Sequence, residues 1–164
     1  MELQYKLDQL LKRVEKPGRY IGGEVHAAVK EPSQVDADFA FAFPDIYEIG
    51  MSYLGLQILY HVLNKHENIY CQRVFAPAVD MEQLMREENM PLVTLETKTP
   101  VKEMDILGFT LQYEMSFTTV LNMLDLAQIP VMAKERGEDF PIVMAGGPCA
   151  FNPEPLADFI DLFM

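Results

Sequence analysis

The chain has 164 residues, 25 acidic against 13 basic side chains, a formal charge of −12 and 49% hydrophobic residues. That length suits one domain able to bury about 70% of the surface its unfolded chain exposes, and the composition excludes a largely disordered chain. The acidic excess disfavours phosphate backbones and anionic lipid, which both need a basic patch, and no apolar run reaches the roughly 20 residues of a membrane helix, so neither nucleic acid nor membrane is expected as a partner.

The N-terminal stretch MELQYKLDQLLKRVEK mixes charges through its apolar positions and so lacks the core of a signal peptide. Cys71 and Cys149 stand far apart and match neither a disulfide framework nor a zinc spacing. With eleven methionines and no export signal, the expected location is the cytoplasm. The chain stops within the apolar run LADFIDLFM, and we expect it to be part of a longer protein.

In chain order, Leu3, Leu7, Leu10, Leu11 and Val14 fall at helical spacing, which predicts a helix over 2–15 that stops at Pro17-Gly18. An irregular approach with Gly22-Gly23 and Pro32 follows, and 1–35 is read as an arm separate from the domain at 36–164. DADFAFAFP is a short apolar run that suits a strand buried on both faces. Residues 51–65 read as a helix with Leu54, Ile58, Leu59 and Val62 on one side. Then come a strand (IYCQRVFAP), a helix with Asp80 as its N-cap (DMEQLMREE), and strands at PLVTLET and DILGFTLQ. A helix at EMSFTTVLNMLDLAQ, a strand at FPIVMAGG, a short helix at PEPLADF and the opening of a last strand complete the order. Strands alternating with helices predict right-handed crossovers and a parallel sheet. The expected fold is therefore α/β, a three-layer Rossmann-like or flavodoxin-like domain of about five mainly parallel strands with an N-terminal helical arm.

In an open parallel sheet, ligands sit outside the carboxyl ends of the strands, where strand order reverses. The candidate loops are 43–52, 110–116 and 145–153. The first carries Asp45, Tyr47 and Gly50; on residues alone it serves either as a ligand loop or as a capped turn with a packed ring. The third carries Gly146, Gly147 and Pro148, a tight strand-to-helix turn or a close backbone approach to a ligand. Neither G-x-G-x-x-G nor a P-loop occurs, which counts against a nucleotide or flavin site.

Taken together, these loops resemble the cobalamin-binding domain pattern D-x-H-x-x-G, S-x-L and G-G. The matching residues are Asp45, Tyr47 and Gly50, then Thr110 with Gln112 in T-L-Q, then Gly146 and Gly147 followed by Pro148. The longer strings GRYIGGEV, FAFPDIYEIGMSYLGLQILYHVLN, RVFAPAVDME, DILGFTLQYEMSFTTVLNMLDL and AGGPCAFNPEPLADFIDLF extend the likeness over nearly the whole chain. They look like the N-terminal region of an uncharacterised family of cobalamin-binding-domain radical SAM proteins. The resemblance implies a cobalamin at this sheet edge. It also implies a downstream radical SAM barrel as the partner, holding S-adenosylmethionine and a four-iron four-sulfur cluster on a C-x-x-x-C-x-x-C motif.

This chain departs from the pattern in one place that matters. Tyr47 stands where the family's histidine ligates cobalt, and a phenol of ordinary pKa near ~10 must lose its proton to ligate well. The resemblance then leaves a cobalamin unligated on its lower face, a Tyr47 that packs against it, or a retained fold without the cofactor. His26, His61 and His66 read as surface or capping residues, so no protein metal ligand is expected. Cys71 and Cys149 fall short of a cluster site. Glu48 with Asp45, Glu114 with Glu154, and Ser52 or Ser116 read as helix-terminus acids and turn residues rather than catalytic groups. The expected function is an accessory cobalamin-binding-type domain of a larger radical SAM enzyme, not itself catalytic; the alternative is a docking or substrate-recognition domain on the same fold.

Overall fold

The computed structural model describes residues 2–164. Five parallel strands form one sheet in the order β2-β1-β3-β4-β5. They are β1 (Ala37–Phe43), β2 (Ile69–Phe75), β3 (Ile106–Thr110), β4 (Ile142–Gly146) and β5 (Leu162–Phe163). The helices are α1 (Glu2–Leu11), α2 (Gly18–Ile21), α3 (Tyr47–Ser52), α4 (Leu54–Asn64), α5 (Val79–Glu87) and α6 (Phe117–Leu126).

This order follows from handedness. The crossover from β1 to β2 runs one way along the sheet, and those from β2 onward run the other way. With every crossover right-handed, α4 lands on one face and α5 and α6 on the opposite face. The alternation of β1 matches this division. Phe41 and Phe43 join Leu56 and Tyr60 of α4 in the smaller apolar cluster. Ala40 and Ala42 point the other way, into the larger cluster of α1, α5 and α6 with Leu107, Phe109 and Val143. Alanines there let the helices approach the sheet closely.

The arm is built into this core. Leu7 and Leu10 are buried in the larger cluster. The Tyr20 hydroxyl accepts the Ala78 N–H at 3.0 Å, and the Tyr60 hydroxyl accepts that of Ala28 at 2.7 Å.

Several sequence expectations are corrected. The 91–97 segment is not a strand and makes only an isolated antiparallel bridge, Val93 to Pro100. It covers the free edge of β2 mostly with side chains. The Glu96 carboxylate takes the Arg73 N–H at 2.7 Å, the Gln72 side chain takes the Thr97 hydroxyl at 2.7 Å, and only the Leu95 N–H reaches a β2 carbonyl. Side chains thus occupy groups a ladder would have used.

The 51–65 helix begins earlier and breaks at Tyr53, whose backbone is extended. Its buried residues are Leu56 and Tyr60, whereas Leu54, Ile58, Leu59 and Val62 are 70%, 51%, 49% and 45% exposed. LGLQILYHVLN is apolar on almost every side, so periodicity alone does not choose its face. Asn64 helps to choose it by bonding both the Cys71 carbonyl (2.9 Å) and the Cys71 N–H (3.1 Å).

The N-cap of α5 is Ala78, and Asp80 lies in its first turn, accepting the Glu15 N–H at 2.7 Å. The N-terminal helix stops at Leu11. PEPLADF forms a single 3-10 turn, Glu154–Leu156, rather than an α-helix.

Candidate functional site

Strand order reverses between β1 and β3, and outside their carboxyl ends lies the crevice that such sheets offer to ligands. An open cavity of about 500 Å³ extends from it over the α4 face of the sheet. Phe39, Leu59, Val62 and Met144 form apolar walls. The floor is bare sheet at Gly108 and Gly146; a Cβ at 108 would stand 2.6 Å from the Phe39 ring, while one at 146 would meet only Met164, at 3.7 Å. Among the described residues no charged side chain lines the cavity.

Its polar edge comes from two places. Thr110 ends β3, and Gln112 follows in the next loop. The Gln112 amide nitrogen donates to the Thr110 hydroxyl, and its oxygen accepts the Tyr53 hydroxyl at 2.6 Å. Gly147 has φ +107°, and a Cβ there would lie 2.8 Å from the Leu111 carbonyl oxygen, so this turn requires glycine. Thr110, Gln112, Gly146, Gly147 and Pro148 therefore share one cavity.

The first loop is arranged differently. Asp45 caps its own turn, taking the Ile46 N–H at 2.7 Å, and also accepts the Tyr113 hydroxyl, which this pushes up to about 12. Gly50 is buried, and a Cβ there would lie 2.3 Å from the Phe75 ring, so this packing leaves no room for a side chain. Tyr47 turns away from the cavity. Its ring meets Phe75 edge-on at 5.5 Å, and its hydroxyl donates to Glu24 at 2.9 Å. Burial and the Glu24 carboxylate together push the Tyr47 hydroxyl above its usual pKa. The phenol is thus protonated and engaged elsewhere, next to a small recess of about 50 Å³ on the β2 side.

The partner of Glu24 is Arg73, a guanidinium only 2% exposed within β2. It donates to Glu24 and to Glu96, both at 2.7 Å, and lies 4.6 Å from the Tyr60 ring centre. Sequence reasoning missed this group and also Tyr53. An arginine in the apolar run IYCQRVF was the available signal for the first; Tyr53 had no signal beyond its place beside Gly55.

The remaining candidates have ordinary partners. Glu48 is held by Arg19 at 2.9 Å, not by Asp45. The Ser52 and Ser116 hydroxyls donate to carbonyls three residues back. His26, His61 and His66 are exposed. Cys71 is buried, which pushes its thiol up. Among the described residues no three His, Cys, Asp or Glu side chains are grouped to share a metal ion, and no helix is long and apolar enough to cross a membrane.

An all-parallel sheet in the order 2-1-3-4-5, with an apolar cavity at its switch point, defines a flavodoxin-like α/β domain. Residues 55–164 match the family described as radical SAM proteins, N-terminal, and the chain belongs to that family. The matched span takes in Thr110, Gln112 and Gly146 to Pro148 but begins after Asp45, Tyr47 and Gly50. No curated protein and no solved structure matches the chain closely enough to count as a relative.

Proposed function

We infer that this chain is the accessory domain of a larger radical SAM enzyme and that it holds a cobalamin at the carboxyl edge of its sheet. The observation that carries this reading is the uncharged cavity bordered by Thr110, Gln112, Gly146 and Gly147. Its volume lies in the range of small-molecule sites, about 300–1,000 Å³. Apolar walls with a rim of hydroxyl and amide suit a flat heterocyclic group and neutral carboxamides, which is the chemistry of a corrinoid with its base.

The fit does not extend to the metal. Tyr47 is protonated and bonded to Glu24, so the protein offers no ligand to cobalt from that position. Thr110 and Gln112 would hold the cofactor's polar groups, while Leu59, Val62 and Met144 exclude water from its apolar part. When bound, a cobalamin supplies a cobalt–carbon bond to the chemistry, and this chain binds and orients it. S-adenosylmethionine and a four-iron four-sulfur cluster belong, on this reading, to a barrel elsewhere in the protein, the domain's main partner.

Titrating the chain with hydroxocobalamin tests this. The corrin absorption should change saturably, calorimetry should give one site, and Tyr47→Phe should bind as the parent does. No spectral change and no saturable heat at high micromolar cobalamin would overturn the reading. The second reading, a docking or substrate-recognition domain without cobalamin, is favoured by the exposed stripe of Leu54, Ile58, Leu59 and Val62 on α4, and it would take the first one's place after that outcome.

A further inference from the structure

Parallel sheets are ordinarily covered on both faces, but this one is covered on one face and half of the other. The larger apolar cluster, with α1, α5 and α6, backs one face from β2 across to β5. On the other face α4 packs over β1 and β2 through Leu56 and Tyr60. Beyond α4, strand alternation turns Ile142, Met144 and Leu162 to that same face, and Ile142 and Leu162 are 55% and 50% exposed. The outward stripe of α4, with Ile58, Leu59 and Val62, stands beside them, and the open cavity lies between. A continuous apolar surface of this kind marks a contact site rather than scattered exposure.

The spacing of the layers sets what fits there. Neighbouring strands lie about 4.8 Å apart and packed helices about 8–10 Å apart, so a helix laid beside α4 comes roughly two strands over, above β3 and β4. Its flank then reaches Ile142 and Leu162. Gly108 and Gly146 carry no side chain at that place, and a Cβ at 146 would meet only Met164. A strand of five residues, as β3 and β4 are, spans roughly 17 Å, the length of about 11 residues of helix. Helix α4 itself runs for 11 residues.

We propose that this seat is taken by an amphipathic helix of the same protein, in the segment that follows β5. That residues follow β5 rests on the radical SAM reading, since the family is described as N-terminal; the seat itself rests on the bare face. Met164 lies beside Gly146 and borders the cavity, with its N–H bonded to the Ala145 carbonyl at 2.9 Å, so β5 ends next to the uncovered surface. A further parallel strand beyond β5 would carry its right-handed crossover over the α6 side. The seat is met instead by a helix that returns across the sheet. With no charged side chain at the cavity, the inward stripe of that helix is apolar at helical spacing. The helix roofs the apolar part of the cavity and leaves the polar rim at Thr110 and Gln112 to a ligand.

Photo-crosslinking in the full-length protein tests this. The label p-benzoylphenylalanine replaces Ile58 in one variant and Leu162 in another, so one carries the test if the other perturbs folding, which circular dichroism reports. After irradiation and digestion, mass spectrometry should find each label joined to a peptide within about 25 residues after Met164, the reach of a short connection and one helix. The crosslinked protein should keep its monomer mass on a denaturing gel. The same label at Tyr5, on α1 at the opposite face, should not capture that peptide. Capture of a second copy, of a more distant segment or of nothing overturns the proposal, as does a reading frame that ends before such a helix fits. Titrating the same protein with hydroxocobalamin separates the two readings. Capture without a change in corrin absorption keeps the helix and removes the cofactor; a saturable change without capture does the reverse.

Discussion

Arg73 sits in the middle of an apolar strand, with its guanidinium shared between Glu24 and Glu96. Taking that charge out of water is costly, and only close carboxylates on both sides offset it. Arg73→Leu leaves Glu96, 3% exposed, without its cation. It should lower stability by about 3–5 kcal/mol, read as a drop in the urea midpoint. Burial raises the Glu24 carboxyl, but bonds from its own N–H, from Tyr47 and from Arg73 outweigh that and hold it below the usual range. A carboxylate with a lowered folded pKa contributes stability above its unfolded value, about 4.3, and loses it as pH falls through the folded one. Glu24→Gln should therefore be less stable than the parent at pH 7 and flatten the acid limb below about pH 4.5, as urea titrations at stepped pH will report. The same network explains Tyr47: its hydroxyl is the outer member of an ion cluster and is turned from the cavity. D-x-Y-x-x-G puts Tyr47 in the loop after β1, but the direction of its side chain depends on Glu24, which is 23 residues away.

Helix α4 shows why element faces are harder to read than element order. Both stripes of LGLQILYHVLN are apolar, and the broader one, Leu54, Ile58, Leu59 and Val62, faces outward. Packing the other stripe lets Leu56 and Tyr60 meet Phe41 and Phe43. Leu56→Ala should cost about 2–5 kcal/mol, and Ile58→Ala should stay within about 0.5 kcal/mol of the parent, both measured by chemical denaturation. The reverse ranking would mean that the helix is turned about its axis. PLVTLET failed as a strand for a related reason. It has a strand's composition, but Glu96 and Gln72 hold it against β2 through side chains, and Lys98, at φ +62°, turns the chain back so that Val93 faces Pro100.

Across the whole molecule, the arm and the α/β unit depend on one another. Leu7 and Leu10 lie in the core, and Glu24 supplies one of the two carboxylates on Arg73. Deleting residues 1–35 would expose the α5 side of that core and strip half the charge compensation. The shortened chain should lose its cooperative thermal transition, followed by circular dichroism, instead of folding as a free-standing domain. The cavity is also a product of the whole arrangement. One crossover carries α4 to the left of the sheet, the others go right on the opposite face, and Gly108 and Gly146 stay bare between them.

By itself the sequence determined the alternation of strands and helices, apart from the strand expected at 91–97 and the helix expected at PEPLADF, and the parallel sheet that this alternation builds. These follow from local period, from turn residues such as Gly147, and from the handedness of crossovers, which adjacent residues suffice to specify. Only the tertiary structure decided which stripe of α4 is buried, that Tyr47 points to Glu24 and that the Tyr53 hydroxyl bonds Gln112. Those outcomes rest on partners that lie far away in sequence, because a side chain's direction is set by what the fold brings beside it.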